Sequence, residues 1–87
     1  MKTFLLNISS PDGNLFSGQV VSLILKGVEG EFAIMANHMP FITNAAPGKC
    51  ILELPDGTVR NGQTEGGLIT VDHNEVTYLT GGVTFDN

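Results

Sequence analysis

The side chains in this sequence that could do chemistry are few: two histidines, one cysteine and nine scattered carboxylates. The stretch GEFAIMANHMPF, residues 30–41, places two of them, Glu31 and His38, among bulky apolar groups. An acid near a histidine is a pairing used in general acid–base catalysis, and both residue types also bind zinc. The stretch therefore leaves three alternatives open: a catalytic site around His38, a metal site, or a surface that another protein covers.

A metal site is the least supported of the three. Zinc needs three or four convergent ligands, which typically come in short-spaced pairs. The available ligands, His38, Cys50 and His73, are far apart along the chain. His73 lies in Asp72-His73-Asn74-Glu75, a pattern typical of a hairpin turn. We therefore predict no bound metal.

The sequence lacks the other residues and motifs that a catalytic site around His38 would need. Cys50 is the single cysteine; it has no activating group near it in the sequence and is typical of a buried small hydrophobe. No Gly-x-Ser-x-Gly nucleophile motif occurs, and no glycine pair ends in the Gly-Lys-Ser/Thr of a phosphate loop. Glu29 and Glu31 flank Gly30 in a glycine-bounded turn, where both carboxylates are expected to be solvated and ionised. We predict no catalytic residue and no cofactor.

The charge and composition of the chain restrict the classes of partner that it could bind. The chain has 87 residues and a formal net charge of −5, which suggests one domain over residues 1–87. Its basic residues are scattered, so no cluster can neutralise phosphates and nucleic-acid binding is excluded. Charged residues make up 15% of the chain, against about 25% in typical soluble domains. This deficit favours a face that a protein partner covers. No apolar run reaches the ~20 residues of a membrane-spanning helix.

The elements that must position these residues are strands, because apolar and polar residues alternate with a period of two. The alternating apolar sets are Phe4, Leu6 and Ile8; Val21, Leu23 and Leu25; Cys50, Leu52 and Leu54; Ile69 and Val71; and Val76 and Tyr78. Pro11-Asp12-Gly13 and Pro55-Asp56-Gly57 are typical turns between them. We predict an all-β fold, a two-sheet sandwich of roughly eight to ten short, mostly antiparallel strands.

The apolar residues of the opening stretch cannot all fit into so thin a core. We expect Phe32, Ile34 and Phe41 to line the interior. Met35, His38 and Met39 have two alternatives, a place in the core or an exposed apolar patch of the kind that marks a protein-binding site.

Seven short motifs, in this order and spacing, resemble the epsilon subunit of bacterial and chloroplast-type rotary ATP synthases over almost the whole chain. They are Pro11-Asp12-Gly13, Phe16-x-Gly18-x-Val20, Gly27-x-Glu29-Gly30-Glu31-Phe32-x-Ile34, Asn37-His38-x-Pro40, Pro47-Gly48, Glu65-Gly66-Gly67 and Asn74-x-Val76-Thr77-x-Leu79.

The resemblance implies a ten-stranded β-sandwich at the foot of the central stalk. Such a subunit is non-catalytic; it binds the gamma subunit, rests on the polar loops of the c-ring and couples proton-driven rotation to the catalytic head. It would be peripheral, held at the cytoplasmic face of the bacterial inner membrane or the stromal face of the thylakoid only through the complex.

The resemblance also assigns contact residues. Glu29, Gly30 and Glu31 correspond to the segment that faces the c-ring, whose loops carry a cationic turn. The gamma-facing residues would be Ser10, His38, Met39, Phe41 and Thr43.

Departures from the family pattern bear on these expectations. Ala33 and Ala36 stand where a glycine and a proline are usual, which could change the local bend. The family usually continues into two C-terminal helices that restrain ATP hydrolysis and, in some members, bind ATP. This chain ends at Asn87, so we expect it to lack the inhibitory and nucleotide-binding segment. A free-standing β-sandwich ligand-binding module and a hydrolase using His38 remain the alternatives.

Overall fold

The computed structural model describes residues 2–86; Met1 and Asn87, which the predicted domain includes, lie outside them. Within the described residues the chain forms ten strands and no helix. The strands are β1 (Phe4–Ser10), β2 (Gly13–Val20), β3 (Ser22–Gly27), β4 (Gly30–Met35), β5 (Phe41–Ala45), β6 (Gly48–Glu53), β7 (Val59–Thr64), β8 (Gly67–Asp72), β9 (Glu75–Thr80) and β10 (Val83–Phe85).

The strands form two five-stranded sheets. Sheet A has the order β2-β1-β9-β8-β5, and sheet B has the order β10-β7-β6-β3-β4. Among residues 2–86, every strand pair is antiparallel except β1 with β9, which run parallel. The predicted all-β, two-sheet and mostly antiparallel sandwich is therefore confirmed. Its β4 and β5 are edge strands of different sheets, and the segment between them passes from one sheet to the other.

The core lies between the sheets and follows the alternation in the sequence. Phe4, Leu6 and Ile8 of β1 face Leu23, Leu25, Leu52 and Cys50 of the other sheet, and Ile69, Val71, Val76 and Tyr78 complete the layer. Burial of one such large side chain contributes about 1.5–3 kcal/mol to folding, so these residues supply most of the stability of a thin sandwich.

One predicted core position is wrong. Val21 lies between β2 and β3, where the chain crosses from sheet A to sheet B, and Val20 takes the buried place instead. The N–H of Val21 donates to the Glu53 carbonyl at 2.7 Å. This crossing resets the alternation by one residue, because the bend between the sheets interrupts the period of two.

Two turns place the residues of interest. Gly27, the last residue of β3, pairs with Gly30, the first residue of β4, which leaves Val28 and Glu29 at the tip of the hairpin. Gly30 has a φ of 132°, a conformation that side-chain-bearing residues rarely adopt. After β4, residues 36–40 lead into β5 on the other sheet.

Candidate protein-interaction site

The hairpin between β3 and β4 projects from the sandwich. Glu29, Gly30 and Glu31 are exposed, and Val28 at the tip retains 88% of its accessible surface. An apolar side chain held this far into solvent gains nothing from the fold itself. The hairpin tip therefore offers both a carboxylate and an apolar contact to a neighbouring molecule.

Glu31 differs from its predicted state. It lies on β4 and not in the turn, and its carboxylate forms an ion pair with Lys49 of β6, each side chain being about half exposed. Lys26 stands directly opposite Glu31 on β3. The prediction that Glu31 lies in the turn is therefore wrong, whereas its carboxylate is exposed to solvent as predicted and the sheet register adds these lysines as neighbours. Glu31 thus has two lysines beside it in this corner.

The segment that joins β4 to β5 presents His38 and Met39 to solvent. Met39 is 80% exposed and Met35, at the end of β4, is 58% exposed, so the alternative of an exposed apolar surface is correct for both. The His38 ring centroid lies 5.6 Å from that of Phe41, with the ring planes tilted by 55°. Phe32, Ile34 and Phe41 belong to the core or pack against it, as predicted.

A cleft of about 550 Å³ lies between the β3–β4 hairpin and β5. Its walls contain Glu29, Gly30 and Glu31 on one side and His38, Phe41 and Thr43 on the other. These two groups were assigned to different partners from the sequence, and the structure brings them against one cleft. We call this region, residues 27–33 with His38 and residues 41–43, the corner cleft.

Ser10 is not part of this corner. Across sheet A, Ser9 pairs with Leu79 of β9, Leu79 pairs with Leu68 of β8, and Leu68 pairs with Asn44, near the end of β5. His38, in contrast, lies before the beginning of β5. Ser10 therefore lies at the opposite end of sheet A, where its hydroxyl accepts a hydrogen bond from the Asp12 N–H at 3.2 Å.

The outer face of sheet A links these two ends through an exposed apolar patch. We call Ile42, Leu68 and Leu79 the sheet A patch; they are 68%, 40% and 52% exposed. Leu68 stands directly opposite Leu79 on the neighbouring strand, and Leu79 lines a small depression together with Ser10. Sequence reasoning missed both leucines. The sequence did contain a signal for them. Leu68 is adjacent to Ile69 and Leu79 to Tyr78, and because side chains alternate along a strand, a residue next to a buried one points outward.

The groups that could act as nucleophile or metal ligand have these positions in the described part of the chain. Cys50 is fully buried, and this burial raises the pKa of its thiol to about 11, which suppresses the reactive thiolate. Among residues 2–86 no three His, Cys, Asp or Glu side chains come together to hold a metal ion. The same residues contain no helix that is long and apolar enough to cross a membrane.

Comparisons with known proteins agree on one family. The profile described as "ATP synthase, Delta/Epsilon chain, beta-sandwich domain" matches residues 3–85. The chain is 37% identical over 79 residues to "ATP synthase epsilon chain, sodium ion specific" of Acetobacterium woodii, covering 91% of this chain and 59% of that protein. It is 39% identical over 79 residues to "ATP synthase epsilon chain" of Chlorobium limicola, covering 91% of this chain and 90% of that protein. The chain thus spans more than half of the first relative and nearly all of the second.

Solved structures share the fold. A chain in the cryo-EM structure of the Euglena gracilis mitochondrial ATP synthase superposes with a TM-score of 0.89 at 21% identity, covering 95% of this chain and 53% of that one. A chain in the Tetrahymena thermophila central stalk and c-ring structure gives a TM-score of 0.76 at 13% identity, covering 95% and 66%. At these identities the similarity extends to the fold alone.

Proposed function

Because this chain belongs to the family of ATP synthase delta/epsilon chain β-sandwich domains, we propose that it is a non-catalytic coupling element of the central stalk. It joins the gamma subunit to the c-ring, so that rotation of the ring is passed to the shaft. The observation that carries the proposal is the pair of exposed features beside the corner cleft: the β3–β4 hairpin tip on one side and the sheet A patch on the other.

The gamma subunit covers the outer face of sheet A in this proposal. The ends of that face are marked by Ser10 and by the His38–Met39 segment, and the sheet A patch lies between them. Asn7, Thr70 and Thr77 are its uncharged neighbours on the same face. A charge-poor centre with apolar residues is typical of the buried core of an interface. We expect the complete contact to bury more than about 1,000 Å² in total.

Phe41 and Thr43, the other residues assigned to gamma, do not lie on the outer face of sheet A. Both are half-buried on β5 and line the corner cleft, whereas Ile42 between them points to the outer face. Their proposed contact with gamma is therefore through the cleft wall. Phe41 also contacts the His38 ring, which lines the same cleft.

The c-ring contacts the β3–β4 hairpin. Glu29 offers a carboxylate to a cationic ring loop, and Val28 adds an apolar contact. Each exposed ion pair contributes only about 0–1 kcal/mol, so these charges set orientation more than affinity. Glu31 has to exchange Lys49 for a ring cation or share its carboxylate between them, because the two already form an ion pair.

Three finer features belong to the same proposal. The ring is driven by protons; the sodium specificity in the name of the Acetobacterium woodii relative is stated of that protein. The complex lies at the cytoplasmic face of a bacterial inner membrane, and this subunit touches the membrane only through the complex. The sandwich itself neither binds ATP nor restrains ATP hydrolysis, since the segment that does so in the family is helical and follows the sandwich.

Co-purification tests the proposal most simply. The tagged chain, expressed in cells that carry its own ATP synthase, is captured after membranes are solubilised in mild detergent. We expect gamma, the head subunits and the c-ring to be recovered with it. An unrelated β-sandwich with the same tag is the control. Capture of the chain alone, under conditions that keep the rest of the enzyme assembled, would overturn the proposed role.

A further inference from the structure

Two asparagines adopt the left-handed backbone conformation and are bonded to each other. Asn37 has a φ of 65° and Asn74 a φ of 49°, and among the described residues they are the non-glycine residues with positive φ. The N–H of Asn37 donates to the Asn74 side-chain carbonyl, Oδ1, at 2.9 Å. Asparagine tolerates this conformation better than most residues, so each position suits its residue.

Asn74 ties together three parts of the chain. It lies in the turn between β8 and β9, and its backbone carbonyl accepts the N–H of Leu5, near the beginning of β1, at 2.9 Å. Its side chain accepts the N–H of Asn37 in the segment between β4 and β5. One residue therefore fixes the crossing segment, residues 36–40, to the end of sheet A.

The crossing segment carries two of the residues that the proposed function assigns to gamma. His38 follows Asn37 directly and lines a shallow groove of about 320 Å³ with Asn37, His73 and Asn74. Met39 is next and is 80% exposed. An exposed segment that is free before binding loses conformational entropy when a partner orders it, and prior anchoring reduces that cost.

We propose that Asn74 is a positioning residue for the gamma interface: its side-chain carbonyl holds the crossing segment so that His38 and Met39 are presented in their binding geometry. The inference rests on the proposed function for its partner, whereas the hydrogen bond itself can be tested in the isolated chain. In this proposal Asn74 does not contact gamma itself and acts through its hydrogen bond to Asn37.

Two substitutions separate the side-chain carbonyl from the backbone conformation. Asn74→Gly removes the acceptor and keeps the positive φ accessible. Asn74→Asp keeps an acceptor oxygen at the same place and is the matched control. His73→Ala, at the neighbouring position of the turn, leaves the hydrogen bond intact. It controls for a change in the shape of the groove that His73 and Asn74 both line.

Amide hydrogen exchange by NMR in the free chain tests the bond. In Asn74→Gly we expect the Asn37 amide to exchange about threefold to tenfold faster, the effect of losing one exposed hydrogen bond. Asn74→Asp should retain the protection. Unchanged exchange at Asn37 in Asn74→Gly would show that the bond does not hold the segment, and the inference would fall.

Titration with purified gamma subunit tests the positioning role. We expect the Kd of Asn74→Gly to rise about threefold to tenfold, the Asn74→Asp and His73→Ala values to stay within twofold of wild type, and the urea midpoints to agree. If the Asn37 amide is released but the Kd does not change, the bond is only structural and the positioning role is wrong. If wild type itself fails to bind gamma, the proposed function fails, and the exchange data then report on the hydrogen bond alone.

Discussion

Thr64 holds the buried end of the sandwich together through one hydroxyl. Its Oγ1 lies 2.7 Å from the Tyr78 hydroxyl and 3.2 Å from the Thr80 hydroxyl, and it accepts the Gly66 N–H at 3.3 Å. Thr80 in turn donates to the Gly66 carbonyl at 2.6 Å. A small core cannot leave such groups unpaired, since each buried polar group without a partner costs about 1–3 kcal/mol.

Replacing this hydroxyl should therefore be costly. We predict that Thr64→Val lowers the free energy of unfolding by about 1–3 kcal/mol, because it leaves the Tyr78 hydroxyl without its partner. Thr84→Val is the control: Thr84 is exposed, and its loss of a hydroxyl should change stability by less than about 0.5 kcal/mol. Urea denaturation measures both. Equal stability of the two variants would contradict the role given to Thr64.

Cys50 predicts a pH dependence of stability. Burial raises the pKa of its thiol from 9.0 to about 11 in the folded chain. The unfolded chain therefore loses this proton first as pH rises, so the contribution to stability is complete below pH 9 and is lost progressively as pH approaches 11. Wild type should lose more stability than Cys50→Ala between these pH values in urea titrations. Parallel pH profiles of the two proteins would show that Cys50 is not the group responsible.

At the scale of elements, the short strand β10 closes sheet B through a close approach to β7. Arg60 lies over the Phe85 ring, 4.5 Å from its centroid, and Gly62 faces the backbone of β10. A Cβ at Gly62 would stand 2.6 Å from the Thr84 carbonyl oxygen and 2.8 Å from the Phe85 ring. Only glycine allows the two strands to come this near.

Alanine scanning of two strand glycines tests that contact. We predict that Gly62→Ala destabilises the chain by about 1–3 kcal/mol, since β10 must move away. Gly18→Ala on β2 is the matched control, because its new Cβ meets only the Phe16 ring at an ordinary 3.6 Å. Thermal unfolding and the exchange rates of β10 amides report the outcome. A Gly62→Ala variant as stable as Gly18→Ala would show that β10 is not held as described.

The elements were largely predictable because they depend on local pattern. Alternation placed Leu6, Cys50 and Tyr78 inside, and the motif order pointed to the family that the profile match over residues 3–85 confirms. The assigned contact residues themselves remain predictions. Local pattern could not show that Lys49 pairs with Glu31 across β3, or that Ser10 lies far from His38. Both depend on strand order and register, which bring together residues that are distant in sequence.

For the whole molecule, one two-sheet sandwich presents two surfaces to two proposed partners. The hairpin tip with Glu29 lies on one side of the corner cleft, and the sheet A patch begins with Ile42 at its other side. A coupling element has to hold both partners at once and transmit torque between them. A substitution in one surface should therefore weaken binding to the partner of that surface and leave binding to the other partner unchanged.

Charge reversal at the hairpin tests the ring side. We predict that Glu29→Lys weakens c-ring binding by about twofold to fivefold at low salt, as loss of an exposed ion pair should. The difference should shrink as salt is raised, because salt screens exposed charges. Gamma binding should be unchanged. Equal ring affinity in wild type and Glu29→Lys at low salt would remove Glu29 from the contact.

The most direct measurement of the central claim is the affinity of the chain for purified gamma subunit after a charge is placed in the sheet A patch. Leu79→Glu should weaken binding at least about tenfold, because it would bury an unpaired carboxylate in the interface core. Val59→Glu, a similarly exposed apolar position on the outer face of sheet B, is the matched control and should leave the Kd within about twofold. If gamma binds Leu79→Glu as tightly as wild type, or if Val59→Glu is the variant that loses binding, the proposed role of the sheet A patch in joining gamma to the c-ring is contradicted.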